Sequence, residues 1–225
     1  LTLYEENASS LDMDQDNPET VISLYALGLF RVNEGRIQNL QVYDSRVDGR
    51  NYVGTICGWN KGILKDISVS ADKNSNSDID SGKRNYVHGD NFVGGICGSD
   101  MLPLIEDAET VPASKLTENY ENLVNESDIA GFSYVGGIIG ASCLENKVSN
   151  TYLKIKDGTN KGLIEVSSNA TKKNVCENLG GITGYLFGGT IENCHSTLGT
   201  DDLMDFPLPD MLDVDYLFGD FMGGI

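Results

Sequence analysis

The sequence predicts an all-β fold, a parallel β-solenoid of about five to six coils with loop insertions, and three observations lead there. First, the motif Asn91-Phe92-Val93-Gly94-Gly95-Ile96-Cys97-Gly98 recurs as Tyr52-Val53-Gly54-Thr55-Ile56-Cys57-Gly58, Tyr134-Val135-Gly136-Gly137-Ile138-Ile139-Gly140 and Leu179-Gly180-Gly181-Ile182-Thr183-Gly184. Leu27-Gly28-Leu29-Phe30 reads as a degenerate first copy and Met222-Gly223-Gly224-Ile225 as a cut-off last one. Second, placing Gly28, Thr55, Gly95, Gly137, Gly181 and Gly224 in one column gives spacings of 27, 40, 42, 44 and 43, a bare unit that insertions lengthen. Third, each copy is followed by an apolar residue, any residue, Asn or Asp, then a small or apolar residue, always in the same order.

Short β-type segments at a fixed period are the signature of stacked coils, because one segment alone cannot bury its apolar side. Coils about 4.8 Å apart pair each strand with its counterpart above and below, so five intervals make a stack of roughly 24 Å. An antiparallel sandwich also has short strands at regular spacing. The in-register match between copies favours the solenoid, since sandwich strands need not resemble one another.

Along the chain, residues 1–20 carry Glu5, Glu6, Asp12, Asp14, Asp16 and Pro18 with little periodicity and read as a loosely structured lead-in or the edge of a preceding cap. The repeats occupy 21–225. Gly94, Gly95, Gly136, Gly137, Gly180 and Gly181 suit tight corners, where positive φ or close backbone approach leaves no room for a Cβ. Phe92, Val93 and Ile96 are expected in a continuous apolar interior. Asn39, Asp66, Asp107, Asn150 and Asn193, from the element after each motif, are expected to stack as a structural ladder along one corner. A third element is Val47-Asp48-Gly49, Val87-His88-Gly89 and Ile129-Ala130-Gly131, and the fourth interval lacks it. Leu116, Tyr120 and Leu123 at helical spacing predict a short helix lying on the stack.

The charge of -18, from 34 acidic against 16 basic residues, argues against nucleic acid or an anionic membrane as partner and favours cations. No run reaches the 18 or more apolar residues of a membrane span, so membrane insertion is not expected. The truncated last copy leads to the expectation of a longer chain with further coils or domains. Five cysteines without a C-x-x-C pair form neither a disulfide framework nor a zinc site of recognisable spacing. Cys57 and Cys97 share one column with Ile139 and Thr183, which predicts reduced, packed thiols; Cys194 stands where Leu40 and Ile67 stand. His88 and His195 lie in no metal or nucleophile pattern.

Two features hold non-repetitive chemistry. Asp72, Asn74, Asn76, Asp78 and Asp80 place oxygen ligands at alternate positions, as a calcium loop does, although Gly is missing at position six and Lys83 stands where a bidentate Glu belongs. Asp201, Asp202, Asp205 and Asp210 form an acidic cluster that reads as a solvated insertion rather than a glycosidase carboxylate pair.

Val-Gly-Gly-Ile-x-Gly followed by apolar-x-Asn-Cys, as in Ile191-Glu192-Asn193-Cys194, resembles the GLUG repeat of bacterial surface proteins, including repeat regions associated with immunoglobulin A peptidases. The resemblance covers about Val21 to Ile225; Thr55 in place of Gly and the degenerate end copies depart from it. It implies an extracellular or cell-surface, non-catalytic segment used for adhesion or spacing, and it identifies no ligand. The reading that follows is a stalk or adhesin surface for a host protein or glycan, with no cofactor expected. No H-E-x-x-H is present, so the peptidase activity of some relatives does not carry over. The rival readings are a polysaccharide-acting β-helix enzyme, whose charged side chains should converge on one strand face, and a calcium-dependent module resting on residues 72–80.

Overall fold

The structure, a computed structural model, describes residues 1–4, 25–71, 85–100, 120–142, 154–166, 177–186, 190–197 and 222–223. These residues wind into a four-sided parallel β-solenoid, as the repeat predicts. The first coil holds β1 (Thr2–Tyr4), β2 (Phe30–Asn33) and β3 (Arg36–Tyr43), and the second holds β4 (Arg46–Asp48), β5 (Asn51–Gly54), β6 (Cys57–Asn60) and β7 (Ile63–Ser70). The third holds β8 (Tyr86–His88), β9 (Asn91–Gly94), β10 (Cys97–Ser99) and β11 (Tyr120–Asn125), and the fourth holds β12 (Asp128–Gly131), β13 (Ser133–Gly136), β14 (Ile139–Ser142) and β15 (Lys154–Asn160). The fifth holds β16 (Ile164–Val166), β17 (Glu177–Gly180), β18 (Thr183–Leu186), β19 (Thr190–Glu192) and β20 (His195–Ser196), with β21 (Met222–Gly223) beyond it.

Each side of the solenoid is one parallel sheet, in the orders β1-β4-β8-β12-β16, β5-β9-β13-β17-β21, β2-β6-β10-β14-β18 and β3-β7-β11-β15-β19. We call these the first, second, third and fourth faces. Like stands on like: Val53, Val93, Val135 and Leu179 form one buried column, and Val47, Val87, Ile129 and Ile164 another. Ile56, Ile96, Ile138 and Ile182 fill the larger core with Leu64, Ile67, Leu123 and Ile155. These inward columns meet apolar side chain on apolar side chain from coil to coil, except where Leu123 meets Gly158, which keeps water out of a narrow interior.

The motif glycines are needed for closeness and not for handedness. Gly94, Gly95, Gly136, Gly137, Gly180 and Gly181 all lie outside the left-handed region, so the positive-φ part of the expectation is corrected. A Cβ on Gly95 would strike the Asn125 side chain across the corner, and one on Gly98 would strike the backbone of Tyr52 and Val53. The left-handed residues are instead side-chain bearing: Asn39, Asp44, Tyr52, Asp66, Phe92, Asn122, Tyr134, Asp157, Asn178 and Asn193 have φ between 47° and 61°.

Several sequence expectations are revised. Thr2–Tyr4 is not lead-in but the first strand of the first face, with Leu3 opposite Val47. Leu27 pairs with Val53 and the Leu29 amide bonds to the Thr55 carbonyl, so Gly28 belongs over Gly54 and not over Thr55. Phe30 then pairs with Cys57, which makes the first corner one residue shorter than the others. The fourth interval does contain the third element, with Ile164 opposite Ile129 and Val166 in place of Gly131. Tyr120 and Leu123 lie on strand β11, not on a helix, because both point into the core over Leu64 and Ile67. Leu116 lies outside the described residues.

Phe92 is turned outward, since its left-handed backbone and its buried neighbour Val93 leave it the opposite side of the strand. There it stacks between Tyr52 and Tyr134, with ring centroids 4.7 and 4.8 Å apart and planes within 2° of parallel. Burial raises the Tyr52 hydroxyl above its ordinary pKa.

Candidate binding face

The fourth face carries the longest strands and the densest outward polar chemistry. Its register stacks Asn39, Asp66, Asn122, Asp157 and Asn193 in one column, each in the left-handed conformation that Asn and Asp tolerate best. The ladder expected from the sequence therefore exists, with Asn39, Asp66 and Asn193 in place and two members corrected. Asn122 and Asp157 hold the positions assigned to Asp107 and Asn150, which lie outside the described residues. The reason is electrostatic as well as geometric: Asp107 over Asp66 would set carboxylate on carboxylate, whereas the observed column alternates amide and carboxylate. Asn122 Nδ2 donates to Asp66 Oδ1 at 2.8 Å, and Asn193 Nδ2 donates to Asp157 Oδ1 at 3.2 Å.

A second alternating column runs beside it through Gln38, Lys65, Glu121, Lys156 and Glu192. Lys65 Nζ meets Glu121 Oε2 at 2.6 Å, and this hydrogen bond raises the Lys65 pKa above 10.5. Over the first three coils lies a groove of about 410 Å³ lined by Asn39, Gln41, Asp66, Ile67, Ser68, Asn122 and Val124. Tyr43, exposed on β3, donates its hydroxyl to Gln41 Oε1 at 2.7 Å. The groove offers amide donors and carboxylate and hydroxyl acceptors, which suits hydrogen bonding to a polar chain laid along the stack.

Elsewhere the sequence candidates separate. Asp72, Asn74, Asn76, Asp78 and Asp80 lie outside the described residues, as does the acidic cluster at 201–210. Among the described residues no group of three or more His, Cys, Asp or Glu side chains is placed to hold a metal ion. His88 Nδ1 lies 2.8 Å from Asp48 Oδ1 in the adjacent coil, and its ring lies parallel to Tyr86 at 6.1 Å. Cys57 and Cys97 are register neighbours, fully buried and unbridged, and Cys97 is followed by Ile139 and Thr183 as expected. Burial raises the Cys97 thiol well above its ordinary pKa, and the neighbouring Cys57 thiol adds to the shift. Cys194 is core, with its sulfur 3.3 Å from the Gly158 amide.

Sequence reasoning missed a buried polar cluster at the end of β10. Asp100 Oδ2 accepts from both Tyr120 and Ser142 hydroxyls at 3.0 Å. Burial, then the Asp100 charge, pushes the Tyr120 phenol well above its ordinary pKa. The available signal was the polar residue at the end of the first four strands of the third face, Asn33, Asn60, Asp100 and Ser142; Asn33 Nδ2 donates to Asn60 Oδ1 at 2.7 Å. No helix among the described residues is long and apolar enough to cross a membrane. No family model, curated protein or solved structure matches the chain.

Proposed function

We propose that the chain is a non-catalytic repeat segment of a bacterial cell-surface or secreted protein, a stalk whose fourth face and adjoining insertions contact a host protein or glycan. One observation supports this reading above others: the outward polar side chains bond along the stack axis instead of converging on one point. Asn122 bonds Asp66, Asn193 bonds Asp157, Lys65 bonds Glu121, Lys161 bonds Glu126, Lys61 bonds Glu34 and Asn91 bonds Asn51, each pair joining adjacent coils. Side chains used in this way stiffen a rod, whereas hydrolytic chemistry needs an acid and a base aimed at one bond. The GLUG-like motif supports the surface location.

The test is adhesion of protein-coated beads to cultured epithelial cells and to immobilised neutral and sulfated glycans. Replacing residues 72–84 and 101–119 by short Gly-Ser links, and separately Asp66 by Asn with Ser68 by Ala, should reduce binding with the melting temperature kept. Release of reducing ends or unsaturated sugars from a polysaccharide panel would overturn the reading in favour of an enzyme. Binding that needs millimolar calcium would place the contact on residues 72–80.

A further inference from the structure

The groove on the fourth face keeps hydrogen-bonding capacity of both kinds. Strand register sets its walls: Asn39 and Gln41 on β3, Asp66 and Ser68 on β7, Asn122 and Val124 on β11. Asn39, Gln41 and Asn122 are exposed, whereas Asp66, Ser68 and Val124 are half-buried. Asn122 Nδ2 donates to Asp66 Oδ1 at 2.8 Å, and Gln41 Oε1 accepts from the Tyr43 hydroxyl at 2.7 Å, so these side chains are held in place. The second Asp66 oxygen and the Gln41 amide group stay available. So do the Asn39 carboxamide and the Ser68 hydroxyl, which bond to no other described residue.

This chemistry narrows the partner. The lining holds one carboxylate and no cation, and the adjoining Lys65 is taken by Glu121 at 2.6 Å. A sulfated, uronic or phosphate-bearing chain would meet an acceptor where it needs a donor. An extended peptide binds a sheet by adding a strand at an edge. The groove lies instead on the face of the sheet, where β3, β7 and β11 bond their backbones to one another. A sugar hydroxyl donates and accepts at once. It therefore matches a surface where amide donors and carboxylate or hydroxyl acceptors recur about every 4.8 Å along the stack and about every 7 Å along the strand. Ile67 and Val124 add an apolar floor for the C–H side of a sugar ring.

We propose, resting on the surface-contact reading above, that this groove binds an uncharged oligosaccharide laid along the stack axis across β3, β7 and β11. Asp66 accepts from the sugar hydroxyls, Asn39 and Gln41 donate to them, and Ser68 does both. Val124 packs under a ring. Asn122 holds the Asp66 carboxylate in one orientation, so little side-chain freedom is lost when the sugar arrives.

Nuclear magnetic resonance of the whole chain tests this through the side-chain carboxamide signals of Asn39, Gln41 and Asn122. The probes are cellotetraose, chitotetraose and mannotetraose as neutral chains, a heparin tetrasaccharide as a sulfated one and an alternating Thr-Lys hexapeptide, each to on the order of 10 mM. At least one neutral tetrasaccharide should shift these signals to saturation. The shift should be the same at about 0.1 M and about 1 M salt, although screening shortens from about 10 Å to about 3 Å. Ser68→Val should weaken that binding by about tenfold or more. The variant keeps the fold, since the next residue in its column is already Val124, and circular dichroism checks the coils. Asp66→Asn keeps the ladder and should weaken binding by about fivefold or more. No shift with any neutral tetrasaccharide, a stronger shift with the heparin fragment or the peptide, or binding indifferent to Ser68→Val would each overturn the inference. Protein-coated beads that adhere to cells without any such shift would sink the oligosaccharide assignment alone, whereas beads that adhere to nothing would sink the reading beneath it.

Discussion

The carboxamide of Asn125 fills the space that Gly95 leaves open, so that any Cβ at position 95 would run into Asn125 Cγ. Asn160 fills the same space beside Gly137, and Ser196 beside Gly181. In the second coil the equivalent positions are Thr55 and Val69, which trade the two jobs: a side chain at the motif corner and a smaller, apolar one at the strand end.

This exchange predicts coupling. Gly95→Thr alone forces two groups into one volume and should cost about 1–3 kcal/mol. Asn125→Val alone loses the hydrogen bonds to Asn160 Oδ1 and the Ser127 carbonyl and should cost a similar amount. The double variant reproduces the second coil, and urea denaturation should show it more stable than the sum of the two losses by about 1 kcal/mol or more. Strict additivity would mean that the two corners do not share that volume.

The alternation of the outer ladder predicts a charge effect. Asn122→Asp would set three carboxylates in succession through Asp66 and Asp157, each adjacent pair repelling by about 0.8 kcal/mol at about 5 Å in water. Stability should fall at pH 7 and be regained both in high salt and near pH 4, where the carboxylates protonate. Asp66→Asn, which keeps the ladder and removes a charge, should lose little. Thermal melts of the two variants across pH and salt check this, and equal losses would show that shape alone governs the column.

Phe92, with φ of 56°, predicts an inverted substitution order. Phe92→Ala and Phe92→Gly both lose the stack on Tyr52 and Tyr134, but only Gly escapes the left-handed penalty of about 1–2 kcal/mol. The Gly variant should therefore melt higher than the Ala variant, opposite to their order in an ordinary strand.

Cys97 and Tyr120 predict weakness in alkali. Burial raises both groups, so the folded chain keeps protons that the unfolded chain releases above the ordinary values of 9.0 and 10.0. Their contribution is intact below about pH 9 and is lost as pH rises, by up to about 1.4 kcal/mol per pH unit for each group. Urea midpoints between pH 8 and 10.5 should fall, and Cys97→Ala should lessen the slope. A variant with the parent slope would remove Cys97 from this account.

The second and third faces were legible because their requirement is local: Gly98 must admit the backbone of Tyr52, and the same demand falls on Gly58, Gly140 and Gly184. The fourth face was legible only where its strand follows the motif closely. Asn39, Asp66 and Asn193 were found, while the long segments before β11 and β15 hid Asn122 and Asp157 behind nearer lookalikes. Charge could have found them, since an in-register column disfavours Asp on Asp. Leu3 and Ile164 escaped notice because their strands are three residues long and carry no glycine after the apolar residue. Phe92 beside Val93 was a contradiction visible in advance, as neighbours in a strand cannot both face inward.

The helical winding, with β1 in the first coil and β21 past the fifth, gives the molecule a defined response to tension. The ladder bonds run along the stack axis, so a pull between the two ends loads them a few at a time and peels off the outermost coil first. Each coil of about 40 residues releases about 140 Å of slack at about 3.4 Å per residue. The coil left behind remains an intact template onto which the freed strand can rewind, since each coil contacts only its neighbours. A rod built in this way should resist compression and lengthen in steps under load.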